Sequence, residues 1–348
     1  MKKSKFYLFA LVAMVLAACS SDDDNSYSFD TSGLTTPRYL EAHAGKVYAT
    51  FFSGHVARID TISLAIDGMT SVGRNPEKLV ACGNRIFVAN SGGLDYPNYD
   101  KTVSVVDIST MAEDMKIEVA DNPQNILSAT DGMLYLASAG NYIDVPNTLQ
   151  TINPLTLDVA DISSVVNMSE ICCLEGSLYG LLSEYDANWN QTITYKSYDT
   201  ATGTAAQNWI TDGTNVPSPY KVFTAGTYLC VSSSDYVNNG DVYMFTASGT
   251  LHKKIAAGIG PRKAVVAGDK IYILSEGLQN KNNSSLTMYN VKTGEVVQNY
   301  FKVINGVGLG DTANDIMIYG DKMYITVSTD NIIWVTDLDA KVIGKIEP

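Results

Sequence analysis

Few side chains in this 348-residue chain can do chemistry, and their spacing limits what that chemistry could be. Histidine occurs only as His43, His55 and His252, too scattered for the three- or four-ligand sets that hold zinc. No H-E-x-x-H, G-x-S-x-G or Walker-type glycine loop occurs, which removes the usual arrangements for metal-assisted hydrolysis, acyl transfer and phosphate cradling. Cys82, Cys172, Cys173 and Cys230 form no C-x-x-C pair. They sit in apolar runs and read as small buried hydrophobes, with one disulfide left open. Paired loop carboxylates, Asp95 with Asp100 and Glu184 with Asp186, could serve acid–base roles. No further group joins them in the pattern, so the chain reads as a non-enzyme with no metal and no cofactor.

Aromatic and amide groups are what the polar segments have in quantity. Five such segments carry Tyr96 and Tyr99; Asn141 and Tyr142; Tyr185, Asn188 and Trp189; Tyr236 and Asn238; and the asparagine-rich stretch 276–284. Rigid aromatic faces beside amide donors and acceptors suit a neutral, partly apolar ligand bearing many polar groups. The same residue types also pack ordinary turns. Arg38, Gln124, Tyr220 and Arg262 stand at the starts of apolar strands and join the candidate set. Arg38 and Arg262 each follow a proline, where they either bind a phosphate or carboxylate or pair with the abundant acids.

A sevenfold repeat has to position these groups. Glycine followed by an apolar-aromatic strand recurs from Gly45 to Gly320, with the aromatics at Tyr48, Phe87, Tyr135, Tyr179, Tyr228, Tyr272 and Tyr324, 39 to 52 residues apart. An apolar strand precedes each, and a strand ending near Asp, Asn or a turn follows. A hairpin and a weaker fourth strand complete the unit. Four short strands per unit of this length predict an all-β chain, a seven-bladed β-propeller of four-stranded blades over residues 34–348. A pair of sandwiches would lack so even a period, and no sustained helical period appears after residue 30. From the strand-two aromatic to the end of strand three, the first and seventh units run 12 and 13 residues against 17 to 20 in the others. Alternate connections in a propeller emerge on alternate faces. The five longer loops and the unit starts are therefore expected on one face.

The remaining segments concern location. Lys2, Lys3 and Lys5 precede an apolar stretch too short to span a bilayer. It ends in Leu16-Ala17-Ala18-Cys19, which resembles the lipobox of bacterial lipoproteins. That resemblance implies a signal peptide over 1–18, a lipidated Cys19 and a membrane anchor of several acyl chains. Residues 19–33 read as a flexible tether. Its run Ser20-Ser21-Asp22-Asp23-Asp24 resembles the surface-export signal of Bacteroidota lipoproteins, implying an outer-membrane location exposed at the cell surface. Cleavage would remove three lysines and no acid, moving the formal charge from −13 to −16. Such a surface repels phosphate backbones, so nucleic acid is not an expected partner.

Asn75-Pro76-Glu-Lys-Leu, Phe87-Val-Ala-Asn90 and Thr102-Val-Ser-Val-Val-Asp107 resemble the YVTN, or YncE-like, propeller repeat. The likeness covers nearly all of residues 34–348 and is loosest around Gly226-Thr-Tyr228. Together with the lipobox and the acidic run, the chain is similar to the corrinoid-capturing surface lipoproteins of Bacteroidota. What that resemblance implies is a propeller that takes a corrinoid such as cobalamin as ligand and passes it to a TonB-dependent outer-membrane transporter. Glycan binding, a protein-interaction scaffold and a hydrolase using loop acids are the alternatives that the residues leave open.

Overall fold

The computed structural model describes residues 30–162, 167–185 and 191–348. The expected signal peptide, Cys19 and most of the tether lie outside the described residues. From Pro37 the chain forms seven antiparallel four-stranded sheets, each built from four consecutive strands, over 37–71, 76–118, 123–161, 170–207, 219–256, 261–297 and 313–346. These are the blades of a seven-bladed β-propeller, numbered one to seven in chain order.

Period-two alternation on the strands decides how the blades pack. In the second strand of blade one (Lys46–Phe51), Tyr48 packs toward blade two beside Leu79 and Ile86, whereas Val47 and Ala49 pack toward blade seven beside Ile333 and Val335. Seven apolar clusters result, one in each seam between neighbouring blades. Sheet-on-sheet packing of this kind leaves the axis of the ring to other residues. A six-residue helix, Tyr300–Asn305, is the only one among the described residues. Its Tyr300 and Phe301 complete the seam between blades six and seven.

Turn chemistry repeats with the blades. The glycine of each first hairpin, from Gly45 to Gly320, has φ between 58° and 84°, a region open to glycine at little cost. Six of the strand-two aromatics pair with equivalent positions of the first strand, for example Tyr48 with Glu41 and Phe87 with Val80. Blade five corrects the repeat: Tyr228 pairs two residues nearer the hairpin, with Ala225, and the equivalent position is held by the fully buried Cys230. Its hairpin has the same two-residue loop as most of the others, and the equivalent position simply holds no aromatic, so looking for one picked Tyr228. Tyr228 stacks on His252 instead.

All four described cysteines are free. Burial pushes the Cys172 thiol up to about 12 and raises Cys230 as well, which keeps both unreactive. The chain ends its ring without borrowing a strand. Blade seven supplies all four of its own, and the segment before Pro37 buries Leu34 in the seam with blade one.

Candidate functional site

The innermost strands share one way of starting. The residue before each of six of them is left-handed: Thr36, Asn75, Asn122, Ser218, Gly260 and Thr312 have φ between 43° and 62°. Each turns its carbonyl toward the residue just past strand two, as in Ser91 N–H to Asn75 O (3.2 Å) and Ser234 N–H to Ser218 O (3.0 Å). That bond ties six of the seven blade starts to the loop between strands two and three, so both lie at the same end of the ring. A register shift follows at once, for instance between Pro37 and Leu40, Pro76 and Leu79, and Pro219 and Val222. Bulges of this kind re-aim side chains. Where the bulge leaves a backbone N–H over, a strand-two hydroxyl takes it: Tyr39 N–H to Thr50 Oγ1 (3.1 Å), Lys221 N–H to Ser232 Oγ (3.1 Å) and Asp315 N–H to Thr326 Oγ1 (2.9 Å).

The outer part of this end is the loop rim. Tyr96, Tyr142 and Tyr236 are 63%, 64% and 63% exposed. Tyr99 joins Tyr96 and Tyr142 edge-to-face, with centroids 6.4 and 5.8 Å apart, linking the loops of blades two and three. Burial, then the neighbouring Tyr142 and Tyr96, raises the Tyr99 hydroxyl pKa. Tyr220 meets Tyr236 at 5.3 Å.

Two of the loops are built alike. Asn141-Tyr142-Ile143-Asp144 and Asp235-Tyr236-Val237-Asn238 each place the tyrosine at φ near 60°, costly for an aromatic residue. The preceding side chain holds it there. Asn141 Oδ1 accepts from the N–H groups of Ile143, Asp144 and Val145, while Asp235 Oδ1 accepts from those of Val237 and Asn238. These bonds, with the Asn238 side chain, bring the Asp235 carboxyl down to about 2. The amides of Asn141 and Asn238 are therefore engaged in holding loops. Asp95 and Asp100 are engaged too: Asp95 pairs with Arg74, and Asp100 caps Lys101 and Thr102. Tyr185 ends a strand opposite Gln191, with its side chain outside the description, and Asn188 and Trp189 lie outside the described residues.

The inner part is the channel mouth. Arg38 holds Glu77 bidentately at 2.8 to 3.3 Å, and Arg262 holds Glu276 at 2.6 Å and approaches Tyr220 Oη at 3.2 Å and Tyr39 Oη at 3.4 Å. Both arginines are thus occupied by acids of this chain. Gln124 donates to Asn122 Oδ1. Burial pushes Tyr220 up to about 12. Burial is the largest influence on Glu276 and works to raise it, but Arg262, Tyr220 and Arg38 together hold the carboxyl low.

Directly below lies a ring that sequence reasoning missed. Two residues past the strand start in six blades stand Tyr39, Lys78, Asn125, Lys221, Lys263 and Asp315, and blade four contributes Glu170, the first residue of its strand. Lys221 pairs with Glu170, and Lys263 with Asp315 at 2.7 Å. Burial opposes charge on Glu170, yet Lys221 and then Lys78 hold it low. A cavity of about 340 Å³ along the axis is lined by the innermost strands of all seven blades. The signal was present in the x-Pro-x-polar pattern of the blade starts; only the first polar position was read, not the second.

A ring of sheets with a tyrosine rim and a charged mouth defines a propeller compatible with ligand binding or use as an interaction scaffold. No family model matches the chain, and no curated protein does. Among solved structures it is similar to the computationally designed Ika8 protein (TM-score 0.56, 10% identity, covering 90% of this chain and 87% of that one). It is similar also to BamB from Moraxella catarrhalis (0.52, 12%, 86% and 83%) and to the dihydro-haem d1 dehydrogenase NirN in complex with DHE (0.57, 12%, 88% and 66%). At these identities the likeness is one of fold alone.

Proposed function

We propose that this protein is a non-enzymatic, lipid-anchored capture protein of the outer membrane, and that its rim holds a corrinoid such as cobalamin for delivery to a TonB-dependent transporter. The observation that carries the binding role is the pair of clamped loops. Each spends backbone strain and a set of hydrogen bonds to keep a tyrosine ring in water, an outlay that a packing residue does not need. The corrinoid rests on the YncE-like repeat, the lipobox and the acidic run, and on chemistry: a wide disc fringed with amides has use for aromatic faces beside backbone and side-chain amides. Its size requires it to lie across the rim, since the axial cavity is at the small end of ligand pockets. The engagement of Asp95 and Asp100 within their loop supports binding over catalysis.

Calorimetry with cyanocobalamin tests this. Saturable binding is expected, weakened at least about tenfold (about 1.4 kcal/mol) by the combined Tyr96→Ala, Tyr142→Ala and Tyr236→Ala changes. No binding by the wild type would end the corrinoid reading, and undiminished affinity in the triple variant would move the site off the rim. Exposed Leu94, Ile143 and Val237 beside the tyrosines favour one second reading, a protein-docking rim, because sugars gain little from aliphatic contacts. Retention of a co-expressed transporter without any corrinoid would favour it.

A further inference from the structure

We infer that the outer edge of blade four, at the rim end, is a docking lane for an extended, uncharged segment of a partner protein. The second and third strands of this blade, Ser177–Tyr185 and Gln191–Asp199, pair over nine residues each. The fourth, Ala205–Gln207, covers only Lys196 to Tyr198. Asn208 adds one bond to Tyr195 O and then turns away at φ 60°. The third strand runs on toward the rim with its outer edge uncovered among the described residues.

The hairpin at the other end fixes where its peptide groups point. Asp199 N–H donates to Thr204 O, and Asp199 O accepts from Gly203 N–H, both on the outer side. Sides alternate along a strand, and no register shift interrupts this one. Asp199, Ser197, Tyr195 and Ile193 therefore all turn N–H and C=O outward. The first three find partners there; nothing among the described residues meets Ile193. Beside it lies a groove of about 300 Å³, walled by Ile193 and Tyr195 on one side and by Asn208, Ile210, Thr214 and Asn215 on the other. Trp209 holds the Tyr195 ring edge-to-face at 5.9 Å, which firms that wall.

A donor and an acceptor on one strand residue, aimed into a groove in line with the fourth strand, are met together by an extended backbone. No residue lining the groove is charged, in a chain of formal charge −13. Uncharged side chains suit it, because a charged one would lose water there without gaining a counterion. A second copy fits poorly. Two such acidic chains repel, and with Tyr195 O already used in each, only Ile193 with Ile193 could exchange both hydrogen bonds. The lane opens at the same end of the ring as the tyrosines, within reach of a protein docked on the rim.

The probe is a fluorescein-labelled serine-threonine-valine-threonine-serine amide, titrated into the full mature chain and followed by fluorescence polarisation. Saturable binding is expected. It should be at least about tenfold weaker for the peptide N-methylated at the valine, which cannot donate to Ile193 O, and for the peptide with glutamate in its place. Ile193→Pro should weaken binding about tenfold or more at an unchanged melting temperature, since an edge strand tolerates proline where the N–H faces outward. The protein should sediment as a monomer. Absence of binding at millimolar peptide, equal binding of the N-methylated peptide, or a dimer that Ile193→Pro dissociates overturns the inference. The N-methyl comparison uses the wild type and holds even if the proline variant fails to fold.

Discussion

Glu41 shows how the channel sets the behaviour of a single group. It lies on the innermost strand of blade one below the two polar rings, and burial raises its carboxyl to about 6 against the opposing pull of the Ala81 N–H and Lys263. A carboxyl whose folded pKa exceeds its unfolded value takes up protons on folding. Its favourable contribution is complete below the unfolded value near 4.5 and fades as pH rises through 6. Glu41→Gln removes that titration. The variant should therefore be more stable than the wild type by about 1 to 2 kcal/mol at pH 8 and gain nothing relative to it below pH 4.5. Urea denaturation at pH 4.5 and pH 8 measures both; an advantage that did not grow with pH would show that Glu41 is solvated. The paired channel acids behave oppositely. Glu170 and Glu276 have lowered values, so their contributions are present at neutral pH and disappear on acidification.

At the scale of the element, the bulge at the start of the innermost strand turns a repeating sheet into a site. It lets consecutive polar residues project around the axis where a regular strand would send alternate ones into the seams. The cost is a backbone N–H without a ladder partner, and the hydroxyls of Thr50, Ser232 and Thr326 meet that cost in blades one, five and seven. Thr50→Val keeps shape and volume yet strands the Tyr39 N–H in a position with no water, since Thr50 is fully buried. A loss of about 1 to 3 kcal/mol is expected, with an unchanged denaturant slope. A stability equal to the wild type would mean that the bulge relaxes onto another acceptor. The bulge itself was not read from the sequence. Periodicity gave the strands and their ends, because seven copies of one pattern average out local ambiguity. A bulge leaves no such mark in the repeat, so Lys78, Lys221 and Lys263 were not singled out, although they stand one position beyond the polar residue that was read at each blade start. The rim was more legible, since Tyr96, Tyr142 and Tyr236 stand in polar segments with no core to enter. The roles of Asn141 and Asp235 as loop clamps were not, because a donor spent inside a loop and one offered to a ligand look alike in sequence.

For the whole molecule, closing the ring is the step that every seam depends on. The seam between blades seven and one joins residues nearly 300 positions apart, and no strand is exchanged across it. Side chains of blade seven bind the backbone of blade one instead: Asp315 accepts from Leu40 N–H (2.9 Å), Ser328 donates to Pro37 O (2.7 Å) and Thr326 donates to Arg38 O (2.8 Å). Asn331 bridges twice, accepting from Thr36 N–H at 2.8 Å and donating to Leu34 O at 3.1 Å. It does so from a turn at φ 54°, where asparagine is tolerated. Asn331→Ala removes both bonds from the seam that chain connectivity supports least. A loss of about 1 to 3 kcal/mol is expected. Hydrogen exchange should locate it: the Thr36 amide should lose protection, while amides in the central strands of blades three and five keep theirs. Faster exchange spread evenly over all seven blades would show instead that the ring opens as one cooperative unit, with the closing seam no weaker than the rest.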